Sequence, residues 1–87
     1  MAVYVDDMEA RFRGMIMCHM LADSTAELLA MADKIGLQRK WLQRPGDPGE
    51  HFDVSKAKKA LAIKHGAKEI SWREAGVMVI RRRRKKK

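Results

Sequence analysis

The stretch Met15-Ile16-Met17-Cys18-His19-Met20-Leu21-Ala22-Asp23-Ser24-Thr25-Ala26-Glu27-Leu28-Leu29 changes its periodicity half-way along. Residues 15–21 are apolar except at His19, and a run this short reads as a buried strand rather than a helix. Ser24 and Glu27 then stand in the spacing of a capping box, in which hydroxyl and carboxylate close the free amides of a helix start. Leu28, Ala32 and Ile35, flanked by Leu29 and Met31, repeat with a helical period, and Gly36 supplies the stop. A strand over 15–21 feeding a helix over 24–35 is the first expectation.

Working outward, Ala2-Val3-Tyr4-Val5 is β-branched and aromatic and predicts a strand over 2–5. Residues 8–14, with Arg11, Arg13 and Gly14, read as a loop. Leu37 to Gln43 reads as a further strand, with Leu37, Trp41 and Leu42 as its apolar content. Arg44-Pro45-Gly46-Asp47-Pro48-Gly49-Glu50 is a loop, because its prolines and glycines forbid helix and ladder alike. Ser55 caps a second helix over 56–65, apolar at Ala57, Ala60, Leu61 and Ile63, cationic at Lys56, Lys58, Lys59 and Lys64, and stopped at Gly66. A last strand is expected over 68–72, and Val77-Met78-Val79-Ile80 is one more apolar run. Alternating strands and helices predict an α/β domain over residues 1–80, with the helices as crossovers lying mainly on one face of one sheet.

Eighty-seven residues suffice for one modest core. No apolar run approaches the ~20 residues of a membrane-spanning helix. The start Met-Ala-Val-Tyr-Val-Asp-Asp lacks the basic end and apolar centre of a signal peptide. A lone cysteine, Cys18, builds no disulfide framework and fits a reducing compartment, so a cytoplasmic protein is expected.

The net charge of +8 is concentrated at one end, where Arg81, Arg82, Arg83, Arg84, Lys85, Lys86 and Lys87 follow one another. Setting these seven aside leaves 12 basic residues against 11 acidic ones, about +1 for the body. A block of like charge repels itself, so residues 81–87 are expected to form a disordered tail that meets nucleic-acid phosphates. Lys58 and Lys59 would add contacts. Binding through such a tail depends steeply on salt, with a slope near ~0.9 per phosphate neutralised on duplex DNA.

Polar residues follow the apolar runs in a suggestive order. Asp6-Asp7 leaves the first strand; two adjacent carboxylates suit a divalent cation, although aspartates also make turns. Cys18 and His19 must point to opposite faces of a strand, and no second cysteine completes a structural zinc site. His19 shares its face with Met17 and Leu21. In extended chain His51 and Asp53 share a face too, as a metal pair or as a histidine oriented for proton transfer. The amides of the helix start beside them favour an anion. Trp41 and Gln43 would form one wall of such a pocket, with Trp41 able to stack on a base. If the strands form one sheet, Asp6, Asp7, His19 and Asp23 gather at its rim as ligands of the cation. His51 and Asp53 would then move protons and Lys56 would neutralise developing charge.

The runs Val3-Tyr4-Val5-Asp6-Asp7-Met8, Cys18-His19-Met20-Leu21-Ala22-Asp23, Glu27-Leu28, Ala32-Asp33-Lys34-Ile35-Gly36, Trp41, His51-Phe52-Asp53-Val54-Ser55, Lys58 and Gly66-Ala67-Lys68-Glu69-Ile70 resemble small bacterial and phage proteins grouped as domain of unknown function 4031. The resemblance covers residues 2–72 and leaves the basic tail outside. It implies that the acids and histidines belong to a shared pattern, and it assigns no activity. Phe52 stands where the family pattern is expected to carry a tyrosine. The function expected first is a nucleic-acid-associated binding protein with an Asp/His pocket for phosphate or a cation; the alternative is a metal-dependent phosphodiester hydrolase or another phosphoryl-transfer enzyme.

Overall fold

The computed structural model describes residues 2–85. In chain order these form β1 (Val3–Val5), β2 (Ala10–Phe12), β3 (Met15–Ala22), α1 (Thr25–Ile35), a 3-10 turn (Arg39–Trp41), β4 (Phe52–Ser55), α2 (Lys56–Lys64), β5 (Lys68–Glu69) and α3 (Trp72–Lys85). The domain is α/β, built on one five-stranded sheet.

β3 is the axis of that sheet. On one edge it pairs antiparallel with both β1 and β2, Val5 opposite Met20 and Ala10 opposite Met17. Four residues, 6–9, therefore oppose only Cys18 and His19, so β1 and β2 are one strand broken by a wide bulge. On its other edge β3 pairs antiparallel with β4, setting Cys18 opposite Val54 and His19 opposite Asp53. β5 pairs parallel with β1. The expected crossover geometry holds for that one pair; the rest is antiparallel, because residues 8–14 are not an open loop but the second half of a hairpin. Arg13 and Gly14 turn it, at φ 51° and 78°, the positive angles a two-residue hairpin requires.

Alternation along the strands decides the core. Val3, Val5, Cys18, Met20, Ala22, Phe52 and Val54 face one way and are buried with Leu28, Met31, Ala32 and Ile35 of α1 and Ala62 of α2. α1 and α2 thus cover one face. Phe52 is fully buried there, where a tyrosine hydroxyl would need a partner of its own. Leu21, turned to the opposite face, is also buried, as is Ala75 of α3, and neither belongs to that cluster. α3 is tied to this side at both ends: Asp7 accepts from the Trp72 amide at 2.7 Å, and the Arg82 guanidinium donates to the Ala22 carbonyl.

The helix starts follow their capping chemistry. Ser24 accepts from the Glu27 amide and donates to its carboxylate; Ser55 accepts from the Lys58 amide. Gly36 ends α1 at φ 82°, its N–H returned to Ala32 and Asp33. The same serine–glutamate pattern recurs at Ser71 and Glu74, which close the start of α3. It ends the expected 68–72 strand at Glu69 and makes Val77–Ile80 part of a helix.

Two further expectations change. Residues 37–43 form a 3-10 turn and a single bridge between Gln43 and His51 rather than a strand. Residues 81–85 are not a disordered tail: they are the last turns of α3. A capped helix needs no new nucleus to extend, arginine is a good helix former, and cations at a helix C-terminus meet its negative dipole end. Lys86 and Lys87 lie outside the described residues. Among those described, no helix is long and apolar enough to cross a membrane.

Candidate metal centre

The register of β3 and β4 builds the site. His19 and Asp53 are directly opposite, so their side chains leave the same face as neighbours. His51, two residues before Asp53, joins them on that face. One nitrogen of each histidine and one oxygen of Asp53 lie within 4.8 Å of one another. Asp53 Oδ1 is 3.4 Å from His51 Nε2 and 3.9 Å from His19 Nε2. With bonds of ~2.0–2.2 Å, tetrahedral ligand atoms stand roughly 3.3–3.6 Å apart, so the His51–Asp53 distance already fits, the His19–Asp53 distance would close by a few tenths of an ångström, and the third pair, the two histidine nitrogens, stands within 4.8 Å. The two imidazoles meet edge to face, centroids 4.9 Å apart at 83°.

Each ligand is held from behind. The Nδ1 of His51 lies 2.7 Å from the Gly49 carbonyl, and the Nδ1 of His19 lies 2.8 Å from Asp6 Oδ2. Both partners only accept, so in the neutral rings Nδ1 carries the proton and Nε2 offers its lone pair toward Asp53. Gln43 donates its amide to Asp53 Oδ2, leaving Oδ1 toward the histidines. Partners of this kind form the outer shell that holds histidines and carboxylates in place where they do ligate a metal.

Asp6 has its position because the hairpin fails there. The Asp6 amide still donates to the His19 carbonyl at 3.0 Å. The return bond goes to the side chain: Asp6 Oδ1 accepts from the His19 amide at 2.8 Å and from the Met8 amide at 3.2 Å. Burial by itself would raise the Asp6 pKa; the hydrogen bonds from the His19 ring, the His19 amide and the Met8 amide outweigh it and hold the carboxyl below its ordinary value. The same bond from Asp6 raises His19 against the opposing effect of burial, with the charges of Asp6 and Asp53 adding to the rise.

The sequence profile of a family described as protein of unknown function, DUF4031, matches residues 3–84. The chain belongs to this family. No curated protein and no solved structure matches it. The family's span contains His19, His51 and Asp53 and continues through Arg81–Arg84, so these arginines are not an appendage outside it.

The other residues expected at the site make their contacts elsewhere. Asp6 is buried behind His19, on its Nδ1, and is not one of the three residues whose ligand atoms converge. Asp7 holds the start of α3. Asp23 accepts from the Ala2 amide and the Tyr4 hydroxyl at the far end of β3. Lys56 pairs with Glu9 at 2.6 Å and Lys59 with Glu69 at 2.8 Å. Lys58 donates to the Ile35 carbonyl at 2.6 Å, closing the end of α1. Arg82 faces Ala22 and Asp23, whereas Arg81, Arg83, Arg84 and Lys85 are exposed. Sequence reasoning missed Gln43 and Gly49 as supports of Asp53 and His51. It also missed Glu50, which accepts from Thr25 Oγ1 and the Gly46 amide, 2.8 Å each, and so fastens the 44–50 loop below His51.

A pocket of about 570 Å³ opens beside Asp53. Its walls are mainly apolar, from Phe12, Met15, Met17 and Trp41 among others, with Gln43 and Ser55 on the Asp53 side.

Proposed function

We propose that the protein is a metal-dependent phosphodiester hydrolase whose divalent ion sits on His19, His51 and Asp53. The observation that carries this reading is the convergence of those three ligand atoms within 4.8 Å, each ligand braced by its own partner. Two imidazoles and one carboxylate suit zinc or another transition ion better than magnesium, whose preference is for oxygen. Three protein ligands would leave a position open, and an ion held there would supply an acidified water and polarise a phosphoryl oxygen. In hydrolysis the water oxygen bonds to phosphorus, the ester P–O bond breaks, and a proton passes to the departing oxygen. The chain's share is to fix the ring orientation and the Nδ1–H tautomer of both histidines through Asp6 and Gly49, so that Nε2 is the nitrogen turned to the ion, and to aim Asp53 through Gln43.

The exposed cations at the end of α3 favour a nucleic-acid substrate, and they support the plain binding reading as well. Their charge would gather phosphates by a sequence-independent attraction.

Calorimetric titration with zinc and with manganese tests the centre, and cleavage of bis(4-nitrophenyl) phosphate tests the activity. One ion per chain is expected, with uptake abolished in His19→Ala, His51→Ala and Asp53→Asn. A wild-type chain that takes up neither metal ends the reading. Metal uptake with no phosphodiester cleavage, beside salt-sensitive nucleic-acid binding, leaves a metal-containing binding protein.

A further inference from the structure

We propose that the pocket beside Asp53 seats the base of a nucleotide, free or at the end of a strand, with the phosphate directed at the metal centre. This rests on the metal reading and adds the substrate class.

The walls are unusual for a surface left to water. Phe12, Met15 and Trp41 are 60%, 52% and 50% exposed, and all three line the same 570 Å³ space. Apolar side chains gathered in the open mark a binding surface. Two aromatic rings with the thioethers of Met15 and Met17 suit a flat, polarizable ring, which can stack on the former and be packed by the latter. The volume falls within the ~300–1,000 Å³ of small-ligand sites.

The polar groups make the ligand an amphiphile rather than a hydrocarbon. Gln43 donates its amide to Asp53, which leaves its Oε1 as an acceptor for the edge of a base. Ser55 Oγ accepts from the Lys58 amide, which leaves its proton to donate. Arg11 lines the pocket, and Arg13 lies over the Phe12 ring at 5.3 Å, so positive charge stands at the hairpin side. Asp53 is the shared wall: its Oδ1 belongs to the metal cluster while the residue also lines the pocket. A ligand filling the pocket therefore lies beside that cluster, with its anionic part directed at the ion and the arginines adding positive charge at the hairpin side.

The test is calorimetry on the full chain with zinc at saturation. Adenosine 5′-monophosphate should bind at least ten-fold tighter than ribose 5-phosphate, which lacks the base, and tighter than hexanoate, which lacks the ring. Trp41→Ala should weaken it roughly 5- to 150-fold, the range for removing one base–aromatic stack, and Trp41→Phe should restore most of that. Zinc affinity unchanged in Trp41→Ala would show the fold intact. A 5′-phosphorylated tetranucleotide binding tighter than the mononucleotide identifies a strand end; the reverse order identifies a free nucleotide. Equal binding of ribose phosphate and mononucleotide, hexanoate binding as tightly, or indifference to Trp41→Ala overturns the proposal. Adenosine titrated without metal separates the two readings: base binding in a chain that takes up no zinc would sink the metal centre and keep the pocket.

Discussion

Asp6→Asn isolates the part of the site that no ligand distance reveals. Asp6 accepts three hydrogen bonds, two on Oδ1 from the His19 and Met8 amides and one on Oδ2 from His19 Nδ1. Asparagine keeps one oxygen. If that oxygen stays on the two amides, its NH2 points at Nδ1–H, donor against donor. The ring then moves its proton to Nε2 and loses the lone pair that would hold the ion, or keeps the tautomer with an unmatched donor. An unmatched buried donor costs about 1–3 kcal/mol, equivalent to roughly 5- to 150-fold in affinity, and outer-shell substitutions at metal sites fall at ~10- to 100-fold. Zinc affinity, measured by competition with a chelator at neutral pH, should drop by that factor in Asp6→Asn and further in His19→Ala. Nitrogen chemical shifts of the His19 ring read the tautomer directly and should exchange the protonated site. A folded Asp6→Asn chain with wild-type zinc affinity and an unchanged tautomer would refute the role given to Asp6.

Four other outcomes are expected. Without metal, the lowered Asp6 contributes stability above its unfolded pKa of ~3.9, which disappears as pH falls through its lower folded value. The raised His19 contributes stability in full below ~6.5, which disappears as pH rises through its folded value; thermal melts across pH should therefore decline at both ends, and a flat profile above neutrality would exclude the His19 part. Ser71→Ala removes the cap of α3 and should cost about 1 kcal/mol in urea unfolding, with faster amide exchange over residues 72–85. Gly36→Ala puts a Cβ at φ 82° and 3.1 Å from Lys58 Nζ, so about 1–2 kcal/mol of destabilisation is expected from the left-handed backbone. Replacing Arg81, Arg83, Arg84 and Lys85 by glutamine should weaken nucleic-acid binding and reduce its salt slope by ~0.7–0.9 for each phosphate no longer neutralised; an unchanged slope would place the nucleic-acid surface elsewhere.

What the sequence made legible was chemistry that acts within four or five residues. Ser24 with Glu27 and Ser55 with the Lys58 amide set two helix starts, and Gly36 sets an end, because hydroxyl, carboxylate and left-handed glycine satisfy backbone groups next to them in the chain. By the same rule α3 was open to reading. Ser71-Trp72-Arg73-Glu74 repeats the Ser24-to-Glu27 pattern, but Trp72 and Ile70 favour a strand and the cationic run beyond suggested disorder. The cap outweighed both.

The site needed a fact that no local spacing contains. His51 and Asp53 were placed on one face by strand alternation alone. His19 joins them only because β3 meets β4 in the register His19–Asp53, and a slip of one residue would turn His19 to the other face. Asp6 reaches His19 for a related reason. Between Val5 opposite Met20 and Ala10 opposite Met17 the hairpin has two residues too many, so the ladder loses its carbonyl just where His19 needs an acceptor. A carboxylate one residue past the strand end supplies it and, with its second oxygen, fixes the ring. The bulge is thus the reason a buried acid is stable here, and the buried acid is the reason His19 can present Nε2 to an ion. Closing the bulge by deleting Met8 and Glu9 would set Asp6 opposite His19 in an unbroken ladder, so the His19 amide would return to the Asp6 carbonyl and the carboxylate would lose the amide bond that now holds it.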